Sequence, residues 1–272
     1  MAKETGLIIP PASSMRLLSW KCWDTCKAST VKALKALVRD EGPDIIFLSE
    51  TKVSSPRIDR IKHNLGFANF YCVDSEDRAG DLALFWKLGV EMEVVFTNKN
   101  MMAYLVYSDP SNTPWLLIAV HGPPYLIKRK KFWELMESII SGFSGHWLLI
   151  GDLNSISLHS KKSRGSSKGK RSSRSFRNFI SNMGAIYLGF SGPKYTWSNR
   201  RVGWANIKER LDRGLCNADW QSLFPKVGVR HLTTPNSDHN PILLDTHLEL
   251  SKGSRPFSLR LCGLGRSLVL KW

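Results

Sequence analysis

Apolar runs that stop abruptly at an acid constrain this chain more than any other feature. Pro43-Asp44-Ile45-Ile46-Phe47-Leu48 leads into Ser49-Glu50-Thr51, and Trp147-Leu148-Leu149-Ile150 leads into Gly151-Asp152-Leu153-Asn154. In a third case the order is reversed, and Ser237-Asp238-His239-Asn240-Pro241 precedes Ile242-Leu243-Leu244. Short apolar runs bounded by turn formers read as buried strands. A carboxylate at the tip of a buried strand is costly unless it binds a metal or is paired. Three such tips, carrying Glu, Asp with Asn, and Asp with His, look like a hydrolytic metal site mounted on a rigid sheet.

The rest of the chain supplies elements to build that sheet. Residues 1–14 read as a tail and Arg16-Leu17-Leu18-Ser19-Trp20 as a first strand. Thr30 is expected to cap a helix through about Val38, with Val31, Leu34, Leu37 and Val38 on one face. Pro43 stops that helix and opens the strand ending at Glu50. Arg57 to Leu65 repeats a helical pattern closed by Gly66. The middle is strand-rich, with segments 69–73, 81–86, 90–96, 102–107 and 115–120 separated by turn residues such as Asp109-Pro110-Ser111-Asn112. Helices are expected over Phe132–Phe143, Phe176–Met183 and Trp220–Phe224, and strands over Tyr195–Trp197 and Arg210–Leu215. Trp20, Trp86, Trp133, Trp147 and Trp220 are assigned to the core. Mixed strands alternating with a few helices imply an α/β fold, two sheets packed together and flanked by helices. One domain is expected over residues 15–248, followed by an irregular tail over 249–272 where periodicity dissolves.

The 272 residues suffice for one large domain, and a 42% hydrophobic fraction is ample for its core. No apolar stretch approaches the roughly 20 residues needed to span a bilayer, and the apolar patch before Pro10-Pro11 is too short for a secretion signal. An intracellular protein, nuclear or cytoplasmic, is expected. The five cysteines have no completed zinc spacing and are expected to be reduced thiols. Net charge is +16, an excess that favours polyanionic partners such as nucleic acid. Much of it lies in a Ser/Gly-rich stretch holding Lys161, Lys162, Arg164, Lys168, Lys170, Arg171, Arg174 and Arg177 without an acid. That stretch is either a solvated loop or a phosphate-contacting arm, and Lys161-Lys162 with Lys168–Arg171 suggest a nuclear localisation signal.

Hydrolysing a phosphodiester calls for a cation on the phosphate, a group that orients water, and charge stabilisation nearby. Hard Mg²⁺ prefers one or two carboxylates plus waters, which suits Glu50. Asp152 is suited to accept a proton from water, with Asn154 fixing geometry on the same turn. His239 can donate to a phosphate oxygen and needs a carboxylate to hold its tautomer, for which Asp212 is the candidate.

At these residues the chain resembles the endonuclease/exonuclease/phosphatase superfamily, most nearly the apurinic-type endonuclease domains of plant LINE-type retrotransposons and their degenerate copies. The resemblance runs from Met15 to about Leu248 and is carried by Leu18-Ser19-Trp20, Leu48-Ser49-Glu50-Thr51-Lys52, Leu82-Ala83-Leu84-Phe85-Trp86, Ile150-Gly151-Asp152-Leu153-Asn154, Gly189-Phe190-Ser191-Gly192-Pro193 with Thr196-Trp197-Ser198-Asn199, Glu209-Arg210-Leu211-Asp212-Arg213 and Ser237-Asp238-His239. It implies a four-layer α/β sandwich of two mixed sheets, packed face to face, with the site at one edge. Glu50 would be a metal ligand with Asp238 beside the ion, which would be Mg²⁺ or Mn²⁺ in its place. Asp152 would be the water-orienting base, Asn154 a transition-state donor, Asp212 the partner of His239, and His239 a phosphate contact. Trp197 and Asn199 would lie on the DNA side, where Trp197 could stack on a base and Arg200 and Arg201 could hold phosphates.

Two departures stand out. The family's Asn-Cys after Ser-Trp is here Lys21-Cys22, and a lysine there could pair with Glu50 or Asp152 and displace the cation. The family's tyrosine before Gly-x-Pro is here His121, which could still donate a hydrogen bond. Trp23-Asp24 offers a carboxylate one residue out of register, and no role is assigned to it. Leu259–Trp272 reads as a frameshifted remnant of the segment that follows the domain in the family, its reverse-transcriptase region lost. The reading is therefore a Mg²⁺-dependent, monomeric endonuclease acting on DNA, of retroelement descent. A catalytically silent nucleic-acid-binding relic and a phosphatase of the same superfamily stand as alternatives.

Overall fold

A computed structural model describes residues 14–22, 25, 27–74, 81–155, 162–163 (backbone only), 174–235 and 237–248. The expected tails, Trp23-Asp24, Cys26, the side chains of the candidate localisation signal and the frameshift segment lie outside the described residues.

Strands β1 (Arg16–Lys21), β2 (Ile45–Ser49), β3 (Asn69–Val73) and β4 (Leu82–Trp86) come first, with α1 (Ala28–Glu41) after β1 and α2 (Ser55–Asn64) after β2. A meander of β5 (Met92–Asn98), β6 (Met101–Val106) and β7 (Trp115–His121) follows, and α3 (Leu126–Phe143) leads to β8 (His146–Asp152). The remaining elements are shorter: β9 (Lys162–Ser163), α4 (Arg174–Asn182), β10 (Ile186–Tyr187), β11 (Phe190–Ser191), β12 (Trp197–Ser198), β13 (Lys208–Glu209), β14 (Asp212–Cys216), α5 (Ala218–Leu223), β15 (Gly228–His231) and β16 (Ile242–Asp245). One sheet has the order β11-β15-β16-β1-β2-β4-β3, the other β10-β14-β8-β7-β6-β5, and β12, β13 and β9 form a small third sheet. Each large sheet is mixed: β1 pairs parallel with β2 and antiparallel with β16, while β7 pairs parallel with β8 and antiparallel with β6. This is the flanked α/β sandwich that the sequence predicts.

Packing explains why the strand runs show no polar alternation. Leu17, Ile45, Phe47, Leu82 and Leu84 of one sheet share an inner core with Leu117, Ala119, Leu148 and Ile150 of the other. The intervening Leu18, Trp20, Ile46 and Leu48 pack outward with Leu34 of α1 and Ile58 and Ile61 of α2. On the opposite side Leu116, Ile118, Val120 and Leu149 meet Phe132, Trp133 and Met136 of α3 and Phe176 and Phe179 of α4. Both faces of the central strands are covered, so both faces are apolar.

Several boundaries differ from the sequence expectation. Thr30 does not cap α1: the helix begins at Ala28 after an extended Lys27, and Thr30 is buried in its first turn. Helix α3 begins at Leu126, well before Phe132, because its first turns are rich in Lys and Arg and lack an apolar stripe. Arg129 anchors that start by donating to the carbonyls of Pro123 and Pro124 at 3.2 and 2.8 Å. Strand β14 opens at Asp212 rather than Arg210, and Tyr195 lies outside β12. Strand β15, unforeseen, lies between β16 and the edge strand β11. Of the five tryptophans assigned to the core, four are buried and Trp86 is half-buried. Cys22, Cys72 and Cys216 form no disulfide, and among the described residues no helix is long and apolar enough to cross a membrane.

Candidate active site

Strand register brings the acids together. Lys21 ends β1 opposite Ser49, the last residue of the parallel β2, so Glu50 emerges beside Lys21. In the other sheet His121 ends β7 opposite Asp152, the end of the parallel β8. Asp152 is in turn paired with Asp212, the first residue of the antiparallel β14. His239 lies just before β16, which runs antiparallel to β1, so it too reaches this rim.

At the centre, His239 Nδ1 lies 2.9 Å from Asp212 Oδ2, both side chains being at most 2% exposed. A carboxylate only accepts, so Nδ1 carries the proton and donates it. The other ring nitrogen, Nε2, lies 3.8 Å from Asp152 Oδ2, beyond direct hydrogen-bond range. Burial works to lower the His239 pKa, but the charges of Asp212 and Asp152 outweigh it and hold it above the usual histidine value. His239 is thereby held as a donor aimed between two acids. The Asp212 backbone N–H, like that of Leu211, donates to Thr196 Oγ at 3.0 Å, and Trp20 Nε1 donates to the His239 carbonyl at 3.1 Å.

Asp152 is locked by its neighbour. The Asn154 backbone N–H donates to Asp152 Oδ1, and the Asn154 Nδ2 amide to Oδ2, both at 2.9 Å. The second Nδ2 hydrogen goes to the Gly122 carbonyl at 2.7 Å. Both amide hydrogens are engaged, so Asn154 as folded positions Asp152. Gly122 is needed for this approach, since a Cβ there would stand 2.5 Å from the Leu153 carbonyl oxygen.

Lys21 reaches into the same rim. Its Nζ lies 3.2 Å from Glu50 Oε1 and 3.3 Å from Asp152 Oδ2. Burial would lower the Lys21 pKa, but Asp152 and Glu50 outweigh it and keep the ammonium charged. Burial would likewise raise the Asp152 pKa, yet Lys21 and then His239 hold it well below the usual carboxylate range. His121 Nε2 lies 3.5 Å from Glu50 Oε1, and burial followed by the Lys21 charge lowers its pKa, favouring the neutral ring. Glu50 adopts φ 56°, a left-handed conformation costing a residue with a side chain roughly 1–2 kcal/mol. Its N–H donates to the Asp81 carbonyl at 2.9 Å, which helps to hold it there.

The remaining candidates lie on the adjoining hairpin. Trp197 is half-buried in β12 and donates its indole N–H to Asp238 Oδ2 at 2.8 Å, which ties it to Asp238 and leaves its ring tilted against that of His239 at 6.5 Å. Asn199 Nδ2 donates to the Ala205 carbonyl, and its Oδ1 accepts from Arg201 and Ile207 N–H, so this amide closes the hairpin. Arg200 is exposed and donates to the Ser237 carbonyl, whereas Arg201 is exposed at the hairpin turn.

Residues 18–239 match the model of the Endonuclease/Exonuclease/phosphatase family. The chain belongs to that family. Comparison with curated proteins gives no match. Among solved structures, this family member is similar to the endonuclease domain of TRAS1, a telomere-specific non-LTR retrotransposon, at 16% identity and TM-score 0.64, covering 87% of this chain and 100% of that one. It is also similar to the AP endonuclease LMAP from Leishmania major, at 16% identity and TM-score 0.69, covering 87% and 88%. The 3′-5′ exonuclease NExo from Neisseria meningitidis follows at 16% identity and TM-score 0.65, covering 86% and 100%.

Enzymes of the Endonuclease/Exonuclease/phosphatase family typically depend on a divalent metal, and two places here invite the comparison. Asp152, Asp212 and His239 offer ligand atoms mutually within 4.8 Å. That trio is nearly sealed from solvent and already internally bonded, whereas Mg²⁺ keeps several waters. The second place lies between Glu50 and Asp152, whose carboxylates are the right hard donors. The Lys21 ammonium stands there, and Asp238 beside it is tied to Trp197. As folded, these residues do not fit a magnesium ion. Sequence reasoning missed Gly122 as the support of Asn154 and Thr196 as the brace of Asp212. A Gly following a strand-end His was the one signal for the first, and nothing in the sequence marked the second.

Proposed function

We propose that residues 15–248 form a DNA phosphodiesterase domain of endonuclease type, of retroelement descent. The observation that carries the reading is the His239 ring, held 2.9 Å from Asp212 and facing Asp152 across 3.8 Å, at the rim where both sheets end. In this reading water beside Asp152 is oriented toward phosphorus and gives up its proton to that carboxylate. His239, braced by Asp212, donates its Nε2 proton to a non-bridging phosphate oxygen, and Asn154 keeps Asp152 aimed. The P–O3′ bond breaks, the departing 3′-oxygen takes a proton from solvent water, and 3′-hydroxyl and 5′-phosphate ends remain. Magnesium, or manganese in its place, is the cofactor that the resemblance adds, and the Lys21 ammonium stands between the carboxylates that would hold it. Support for DNA as substrate comes from the +16 charge and from the fold neighbours, one of which, a Neisseria 3′ phosphatase, is bound to a product DNA hairpin. The basic residues Arg200 and Arg201 flank the rim on its DNA side.

The Lys21 ion pairs favour a second reading, a folded nucleic-acid-binding relic without turnover. Nicking of supercoiled plasmid separates the two, run in EDTA and in Mg²⁺ with the parent, Asp152→Ala and Lys21→Asn. Nicking by the parent that vanishes in Asp152→Ala supports the enzyme. Nicking gained only in Lys21→Asn with Mg²⁺ supports the relic, and equal nicking by all three overturns the site assignment.

A further inference from the structure

We infer that the Lys21 ammonium is the resident cation of this site: it takes the place of a divalent ion between Glu50 and Asp152, so that the rim engages a phosphodiester without metal. The inference rests on the phosphodiester reading above and specifies how that site holds its charge.

Four observations carry it. First, Lys21 is placed by the fold: it ends β1, paired in register with Ser49 of β2. Its carbonyl accepts from Ser237 Oγ at 2.7 Å, which joins it to the segment bearing Asp238 and His239. Second, the side chain is turned inward, only 13% exposed, and meets one carboxylate from each large sheet at 3.2 and 3.3 Å. Third, an ammonium has three donors, and these two contacts leave one for an incoming phosphate oxygen. Fourth, the space is exclusive. Magnesium needs oxygen ligands at about 2.0–2.1 Å and its own waters, so an ion between the same carboxylates would overlap the ammonium and be repelled by it. Expelling Lys21 would strip a charged group of both its partners.

Two measurements on the full chain test the inference. Mn²⁺ binding, followed by electron paramagnetic resonance, should show no saturable site in the parent at millimolar metal. Lys21→Asn should gain one site, and adding Glu50→Gln should remove it again. Lys21→Gln serves if Lys21→Asn melts early. A parent site that Glu50→Gln abolishes would mean that the lysine yields to metal and would overturn the inference, as would failure of both Lys21 variants to gain a site. The second measurement is fluorescence anisotropy with an uncleavable phosphorothioate duplex in EDTA. The parent should bind, Lys21→Asn should bind about 10-fold more weakly, and Mn²⁺ should restore the variant while leaving the parent unchanged. Equal binding by both proteins in EDTA would overturn the phosphate role of Lys21. If no protein binds the duplex under any condition while the Mn²⁺ results come out as expected, the DNA reading fails and the cation assignment stands.

Discussion

His239 and Asp212 share a hydrogen bond of 2.9 Å at a position almost closed to water, and Asp212 reaches it only because β14 pairs in register with β8. Replacing Asp212 with Asn keeps the shape and removes a charge that raises the pKa of the ring. The His239 pKa should fall from its raised value, read as a shift of its ring proton resonances in an NMR titration. Nicking, where the parent shows it, should drop about 100-fold. An unchanged titration would disprove the pairing.

Gly122→Ala tests the support beneath Asn154. The added methyl would meet the Leu153 carbonyl oxygen at 2.5 Å, so the turn carrying Asn154 must move. We expect a loss of about 1–3 kcal/mol in urea denaturation, with nicking lost beyond what that instability explains. Wild-type stability and activity together would refute the tight approach.

His231 gives stability its acid dependence. Burial is the main cause pressing its pKa down to about 4, against the opposing hydrogen bond to the Pro193 carbonyl at 2.7 Å. The unfolded chain protonates this ring near its ordinary 6.5, so between those values the unfolded state binds more protons. The His231 contribution is therefore complete above pH 6.5 and is lost as pH falls towards 4, by up to roughly 3 kcal/mol. Urea midpoints at pH 7.5 and 4.5 should differ less in His231→Phe than in the parent. An identical difference would assign the acid sensitivity elsewhere.

Arg200 and Arg201 should separate in salt. Arg201 is exposed at the hairpin turn, whereas Arg200 is also tied to the Ser237 carbonyl. Arg201→Ala should weaken DNA binding while lowering the slope of log affinity against log salt by about 1, with the melting temperature unchanged. Arg200→Ala should lower the melting temperature as well. A flat salt response in both would remove the hairpin from the DNA footprint.

Leu117 lies in the inner core between the sheets, fully buried. Leu117→Ala should cost about 2–5 kcal/mol in urea denaturation, while Leu126→Ala, half exposed at the start of α3, should cost far less. Equal costs would contradict the two-sheet packing.

The sandwich was legible in the sequence wherever apolar runs carried it. Leu17, Phe47, Leu117 and Leu148 announce buried strands because burial on both faces leaves no polar position to blur the run. Short elements were not legible. Strand β15 is four residues with Arg230 in the middle, and its pairing with β16 is a long-range fact that no local pattern contains. The first turns of α3 were hidden because Arg129 is buried through hydrogen bonds rather than apolar spacing. At the rim, residue types pointed to Glu50, Asp152, Asp212 and His239, but hydrogen-bond accounting could not be done from letters. That Asn154 spends both amide hydrogens and that Trp197 is joined to Asp238 are properties of geometry alone.

The three apolar clusters seal the sandwich without enlisting Lys21, Glu50, Asp152 or His239. The apolar clusters that hold the sheets and the charged residues of the rim are thus separate sets of residues. A lineage can silence, retune or revive such a rim by changing single codons while the scaffold persists unaltered. Position 21 is where that history would be written, and it is also the simplest place for an engineer to rewrite it.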